Sequence, residues 1–103
     1  MVISTTATFE GRPIQKYLGV VFGETVNGVN YARDLSASIT GFLGGRSADY
    51  EEELMKTRAD AISEMINRAG QMGANAVVGV RVDYEVLANN MLMVVASGTA
   101  VVI

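Results

Sequence analysis

Apolar residues alternate with small or polar residues in three stretches of the chain, a spacing of two that is typical of β-strands. The stretches are Lys16 to Val26, Val78 to Val86 and Met91 to Ile103. The turn residues at 88–90 predict that the last two strands form an antiparallel hairpin. The third stretch is apolar at odd and even positions alike, which indicates that both of its faces are buried.

A spacing of three and four residues predicts two helices elsewhere. The shorter runs from Tyr31 to about Leu43, with Asn30 as its cap. The longer has about 25 residues and so a length of ~37 Å; Ser47 caps its start and Gly73 ends it. Its stripe facing the sheet is expected to contain Met55, Ala59, Ile62, Met65, Ile66, Ala69 and Met72.

These elements predict a single domain over residues 1–103 of the α+β class. We expect two layers, an antiparallel three-stranded sheet with one long and one short helix. The long helix covers one face of such a sheet, and no second long helix is available for the other face. Burial of that face against further copies of the chain is therefore expected.

The composition of the chain argues against several classes of function. The net charge is −3 and the eight basic residues are scattered, so we expect no nucleic-acid partner. The chain has no cysteine and no histidine, which excludes thiolate and imidazole chemistry. The longest apolar stretch is too short to span a bilayer, and residues 1–10 do not resemble a signal peptide. A cytoplasmic location without membrane contact is expected.

Four carboxylates are candidate metal ligands or acid–base groups: Glu24, Asp34, Asp83 and Glu85. The alternative is that they form a solvated strand face or salt bridges between subunits. A second candidate is Arg46 with Ser47, which could bind an anion at the start of the long helix. The alternative here is a capped turn between two helices. No catalytic residue is assigned.

Several short motifs resemble those of the YbjQ family of small prokaryotic proteins, often described as heavy-metal-binding. They are Gly44-Gly45-Arg46-Ser47, Tyr50-Glu51, the segment GANAVVGV at 73–80, and Asp83-Tyr84-Glu85. The likeness runs nearly end to end. It implies a subunit similar to the dodecin-like β-α-β-β arrangement, and a homo-oligomeric ring of five subunits.

Three functions follow as hypotheses. The first is a small oligomeric binding protein that holds a metal ion or another ligand between subunits. The second is an enzyme that uses Glu24 or Asp34 as an acid or base, and the third is a purely structural or partner-binding ring. Because soft metals require sulfur or nitrogen ligands, a divalent ion bound here is expected to be a hard one such as calcium, magnesium or manganese.

Overall fold

The computed structural model describes residues 1–27, 48–87 and 91–103. The elements in these ranges are β1 (Val2–Ile3), β2 (Lys16–Asn27), α1 (Ala48–Gln71), β3 (Ala76–Leu87) and β4 (Met91–Val102). The three predicted strands and the long helix are confirmed with small shifts of their ends. The short helix predicted from Tyr31 to about Leu43 lies outside the described residues.

The sheet has four strands in the order β1-β3-β4-β2, so the prediction of three strands was wrong. β4 pairs antiparallel with both β2 and β3, as expected for the hairpin. The additional strand, β1, pairs parallel with β3 and makes the sheet mixed. β1 has two residues, which is too short to produce a periodic signal in the sequence.

Helix α1 lies on one face of the sheet, mainly over β2 and β4. The core between the helix and the sheet includes the buried side chains of Val21, Met65, Leu92 and Val94. Small residues bring the two layers close together. A Cβ atom on Gly23 would lie 2.4 Å from the backbone nitrogen of Met65, so only glycine allows the helix this position.

The buried stripe of α1 differs from the predicted one. Met65 and Ala69 are buried as expected, but Met55, Ala59 and Met72 are exposed. The buried stripe instead includes Thr57 and Ala61. Thr57 is accommodated because its hydroxyl donates a hydrogen bond to the Glu53 carbonyl one turn earlier. The helix carries more apolar residues than one sheet face can cover.

The C-terminus of α1 confirms the role predicted for Gly73. This residue has a φ of 92°, in the left-handed region where glycine is favoured. The Gly73 amide donates to the Gly70 carbonyl and the Ala74 amide donates to the Ala69 carbonyl. These two bonds define a Schellman motif, which satisfies helix carbonyls that would otherwise lack a partner.

Two β-bulges change which face some residues occupy. At Gly79, with φ of 61°, two residues of β3 stand opposite one of β4, as in a glycine bulge. Val78 therefore lies on the opposite face from Val80, although strict alternation placed them together. A bulge near Gly19 likewise lets Leu18 pack toward the helix side.

The N-terminal segment, residues 4–15, first runs along the edge of β3 and then folds over one end of the face opposite α1. Phe9 and Ile14 pack there on Val78 and Val101. The bulge supports this segment, because the amides of Gly79 and Val80 donate to the carbonyls of Thr6 and Ser4 at 2.8 and 3.0 Å. The part of this face beyond the segment has no such cover among the described residues.

Candidate functional site

The candidate site is the uncovered part of the sheet face opposite α1, which we call the open face. Its apolar half lies on β2 and β4. On β2, Val20, Phe22 and Val26 are 65%, 47% and 47% exposed. Strand register places them opposite Thr99, Ser97 and Met93 of β4, respectively. The half-buried Val95 lies on the same face, between Ser97 and Met93. Large apolar side chains so exposed in one area indicate a contact surface.

A charged row on β3 borders the apolar half. It consists of Arg81, Asp83 and Glu85, which alternate with residues on the helix side and share the open face. Arg81 and Asp83 form an ion pair at 3.6 Å in which both side chains are well exposed. This pair agrees with the interpretation of these carboxylates as a solvated strand face, and it gives Asp83 a charged partner.

Glu24 lies on β2 and is held by a different arginine. Arg68 of α1 reaches past the edge of the sheet and forms an ion pair with the Glu24 carboxylate at 3.3 Å. The same guanidinium donates to the Phe22 carbonyl at 2.9 Å and pairs with Glu64 one turn earlier on the helix. Arg68 thus connects α1 to β2.

The structure places Glu24 and Asp83 on the same face without bringing them together. Both stand opposite Val95, one on each side of β4. Two strand spacings separate them, about 10 Å between their Cα atoms. Within the described ranges, no group of three or more acidic, cysteine or histidine side chains could hold a metal ion.

The remaining predicted site residues, Asp34, Arg46 and Ser47, lie outside the described residues. Tyr17 and Tyr84 are exposed, at 67% and 45%. Tyr84 faces the helix side, where its hydroxyl lies 3.5 Å from the Arg58 guanidinium. Tyr84 therefore does not contribute to the open face in a single subunit.

The fold and this surface define a class: a small α+β protein with one long helix on a mixed sheet. A family model with the description "Putative heavy-metal-binding" matches residues 1–103. The chain belongs to this family, the YbjQ family, as its motifs predicted.

Relatives in several bacteria match over nearly their whole length. A UPF0145 protein of Clostridium botulinum is 59% identical over 103 residues, covering 98% of this chain and 97% of the relative. A UPF0145 protein of Acetivibrio thermocellus is 55% identical over 105 residues, covering 100% and 99%. Their names state no activity, so they establish the family without adding a function.

A solved structure shares the fold. It is the crystal structure of a protein of unknown function from Pediococcus pentosaceus, assigned to the DUF74 family. Its TM-score is 0.69 at 18% identity, covering 100% of this chain and 97% of the other. At this identity the likeness shows a common architecture and nothing about a ligand.

The donor atoms of this chain do not fit the heavy-metal description. Soft and borderline metals such as copper, cadmium and zinc are held mainly by cysteine sulfur and histidine nitrogen. The sequence contains neither residue. Apart from methionine thioether sulfur, the side-chain donors that remain for a metal are mainly oxygen atoms, which suit calcium, magnesium and manganese. The part of the chain described by the structure also contains no helix long and apolar enough to cross a membrane.

Proposed function

We propose that the protein is a small closed homo-oligomer that binds a hard divalent ion or another small ligand between its subunits. The observation that carries the proposal is the open face, where Val20, Phe22 and Val26 are exposed together on one strand. Burying such a surface stabilises an assembly by about 25 cal/mol for each Å² of apolar area removed from water. A chain of this size has few other means of covering it.

A second copy of the chain is the partner that suits this face. Its apolar half can pack on an equivalent apolar surface, and its charged row contains both signs. The charged rows of two subunits can therefore meet with complementary charges. The family resemblance supports a ring of five subunits.

Glu85 is the strongest candidate ligand for an ion. Glu24 has Arg68 as a partner and Asp83 has Arg81, whereas no ion pair of Glu85 is found among the described residues. A single carboxylate binds a divalent ion weakly, but ring symmetry can bring one from each subunit to a common axis. Asp34 remains a further candidate from the sequence.

Native mass spectrometry of protein purified from its source organism tests both parts of the proposal. We expect a closed oligomer that carries a substoichiometric or stoichiometric hard ion or small molecule. A Glu85→Gln variant should keep the subunit number and lose a bound ion. A monomer of 11.0 kDa at micromolar concentration would contradict the proposal. A ring without any bound species would favour the purely structural function.

A further inference from the structure

A groove lies on the opposite side of the sheet from the open face, between α1, β3 and the N-terminal segment. It has a volume of about 420 Å³ and is lined by Ile3, Ser4, Thr5, Ile62, Val80 and Val82. Pockets for small molecules have volumes of roughly 300–1,000 Å³ and mainly apolar walls. The groove meets both conditions, since four of its six lining residues are apolar.

The groove exists because α1 is placed off-centre on the sheet. The helix packs mainly on β2 and β4 and touches β3 little. Gly23 explains this placement, because it allows α1 to approach the backbone of β2. From Val82 onward, the helix-side residues of β3 are left only partly covered: Val82 is half-buried, and Tyr84 and Val86 are exposed.

The groove has a polar end, which is predicted by the periodicity of its two walls, α1 and β3. Arg58 lies one helical turn before Ile62, and Tyr84 lies two residues after Val82 on the same side of β3. The Arg58 guanidinium and the Tyr84 hydroxyl are 3.5 Å apart, so both walls converge at this end. Among the described residues, no carboxylate lies within ion-pair distance of Arg58.

We propose that this groove binds a free monocarboxylate with a linear alkyl chain of medium length. Along β3, the distance from Val80, which lines the groove, to Tyr84 is four residues, or ~13 Å at ~3.3 Å per residue. That length suits an extended chain such as that of decanoate. The guanidinium of Arg58 recognises the carboxylate, since arginine binds this group through two parallel hydrogen bonds, and the Tyr84 hydroxyl donates a further one.

This site lies within one subunit and is independent of the association through the open face. The experiment is a titration of the full-length protein with decanoate, followed by NMR. The isoleucine and valine methyl groups of the protein are labelled with carbon-13, and decanoate is kept below the concentration at which it forms micelles. We expect saturable shifts at Ile62, Val80 and Val82 with one molecule bound per chain. Decanol and decylammonium, which have the same chain, should bind at least tenfold more weakly.

Arg58→Gln should weaken decanoate binding at least tenfold and leave decanol binding unchanged. Arg81→Gln is the matched control, because it removes the same charge from the open face, and it should bind decanoate like the wild type. Tyr84→Phe, which deletes only a hydroxyl, should weaken decanoate binding severalfold and provides a test if Arg58→Gln fails to fold.

Several outcomes would overturn the proposal. Shifts confined to open-face valines such as Val20 and Val95 would place the fatty chain on the other side of the sheet. Equal affinities for decanoate and decanol would show that Arg58 does not recognise the carboxylate. Protection of Ile62 and Val82 methyls from a dissolved paramagnetic probe without any ligand would show that the groove is filled, by the chain itself or, if concentration-dependent, by a second copy.

Discussion

Gly23 of β2 lies directly against Ala61 of α1. A Cβ atom added to Gly23 would stand 2.1 Å from the Ala61 carbonyl oxygen, a separation that non-bonded atoms cannot adopt. The contact involves the helix backbone and not a flexible side chain, so the whole helix would have to move. The distance between the two layers is therefore set at this point.

Gly23→Ala should lower the free energy of unfolding by about 1–3 kcal/mol, as overpacking of a core does. Gly70→Ala is the control. Gly70 lies in α1, and a Cβ atom there would meet only the Met1 Cε at 3.9 Å. Alanine at that position should leave the stability unchanged or raise it by up to about 1 kcal/mol. Urea unfolding followed by circular dichroism measures both, and equal midpoints for the two variants would contradict the packing argument.

Gly73→Val should destabilise the fold by about 1–2 kcal/mol, since a side chain with a Cβ atom is strained at positive φ. The space around Gly73 is open, with nothing within 4 Å of an added Cβ atom, so the effect isolates backbone strain. Gly73→Asn should cost less, because asparagine tolerates this conformation. A lower urea midpoint for Gly73→Asn than for Gly73→Val would refute this explanation.

Ser47→Ala should cost about 1 kcal/mol if Ser47 caps α1 as the sequence predicts. Ser47 lies outside the described residues, so this remains a prediction from sequence. α1 begins at Ala48, the residue that follows the predicted cap. A Ser47→Asp variant should retain wild-type stability, and a wild-type urea midpoint for Ser47→Ala would show that the cap is elsewhere.

Arg68→Met should destabilise the fold by about 1 kcal/mol, chiefly through loss of its hydrogen bond to the Phe22 carbonyl. Its ion pairs contribute little, because the side chains of Arg68 and Glu24 are 42% and 46% exposed and solvent screens them. Lys56→Met is the control and should have almost no effect, since Lys56 is an exposed cation of the same helix and lies away from the open face. Thermal unfolding that affected both variants alike would rule out a special role for Arg68.

Phe22→Glu should dissociate the proposed oligomer, because it places a charge in the apolar half of the open face. Met55→Glu is the control: Met55 is 56% exposed but lies on α1, away from this face. Light scattering after size exclusion measures the mass of each variant. If Met55→Glu dissociated the assembly and Phe22→Glu did not, the subunits would associate through the helical layer.

Zinc, copper and cadmium should not bind tightly to this protein, because thiolate and imidazole ligands are missing. Calorimetric titration with zinc in a non-chelating buffer should show no stoichiometric site of submicromolar dissociation constant. Should one be found, Glu24→Gln and Asp34→Asn would identify the carboxylate responsible. Loss of the site in either variant would restore the family's heavy-metal description for this chain.

Most of the layer arrangement could be predicted from the sequence. Long elements with a clear period, such as β4 and α1, were predicted nearly to their ends, because periodicity reports which face is buried. β1 was missed because a strand of two residues is too short to show an alternating pattern. The bulge at Gly79 was missed because a single inserted residue reverses the alternation, which moved Val78 to the other face.

The candidate site was predictable only in part. Asp83 and Glu85 lie two residues apart on one strand, so strand periodicity alone is enough to put both on one face. The partner of Glu24 was not predictable, because Arg68 is 44 residues away in sequence and the contact depends on how α1 lies across β2. The exposure of Met55 could not be foreseen for the same reason: periodicity gives a stripe, while the packing angle decides which part of the stripe is covered.

The strand order β1-β3-β4-β2 also determines a sequence of events during folding. α1, β3 and β4 are contiguous in the chain, so they can collapse together through local contacts. β2 has to close a loop of more than half the chain before it pairs with β4, and such distant pairings form slowly. Until β2 pairs, the edge of β4 and the apolar sheet face beneath α1 remain open to neighbouring chains, so we expect aggregation during refolding to be favoured at this stage.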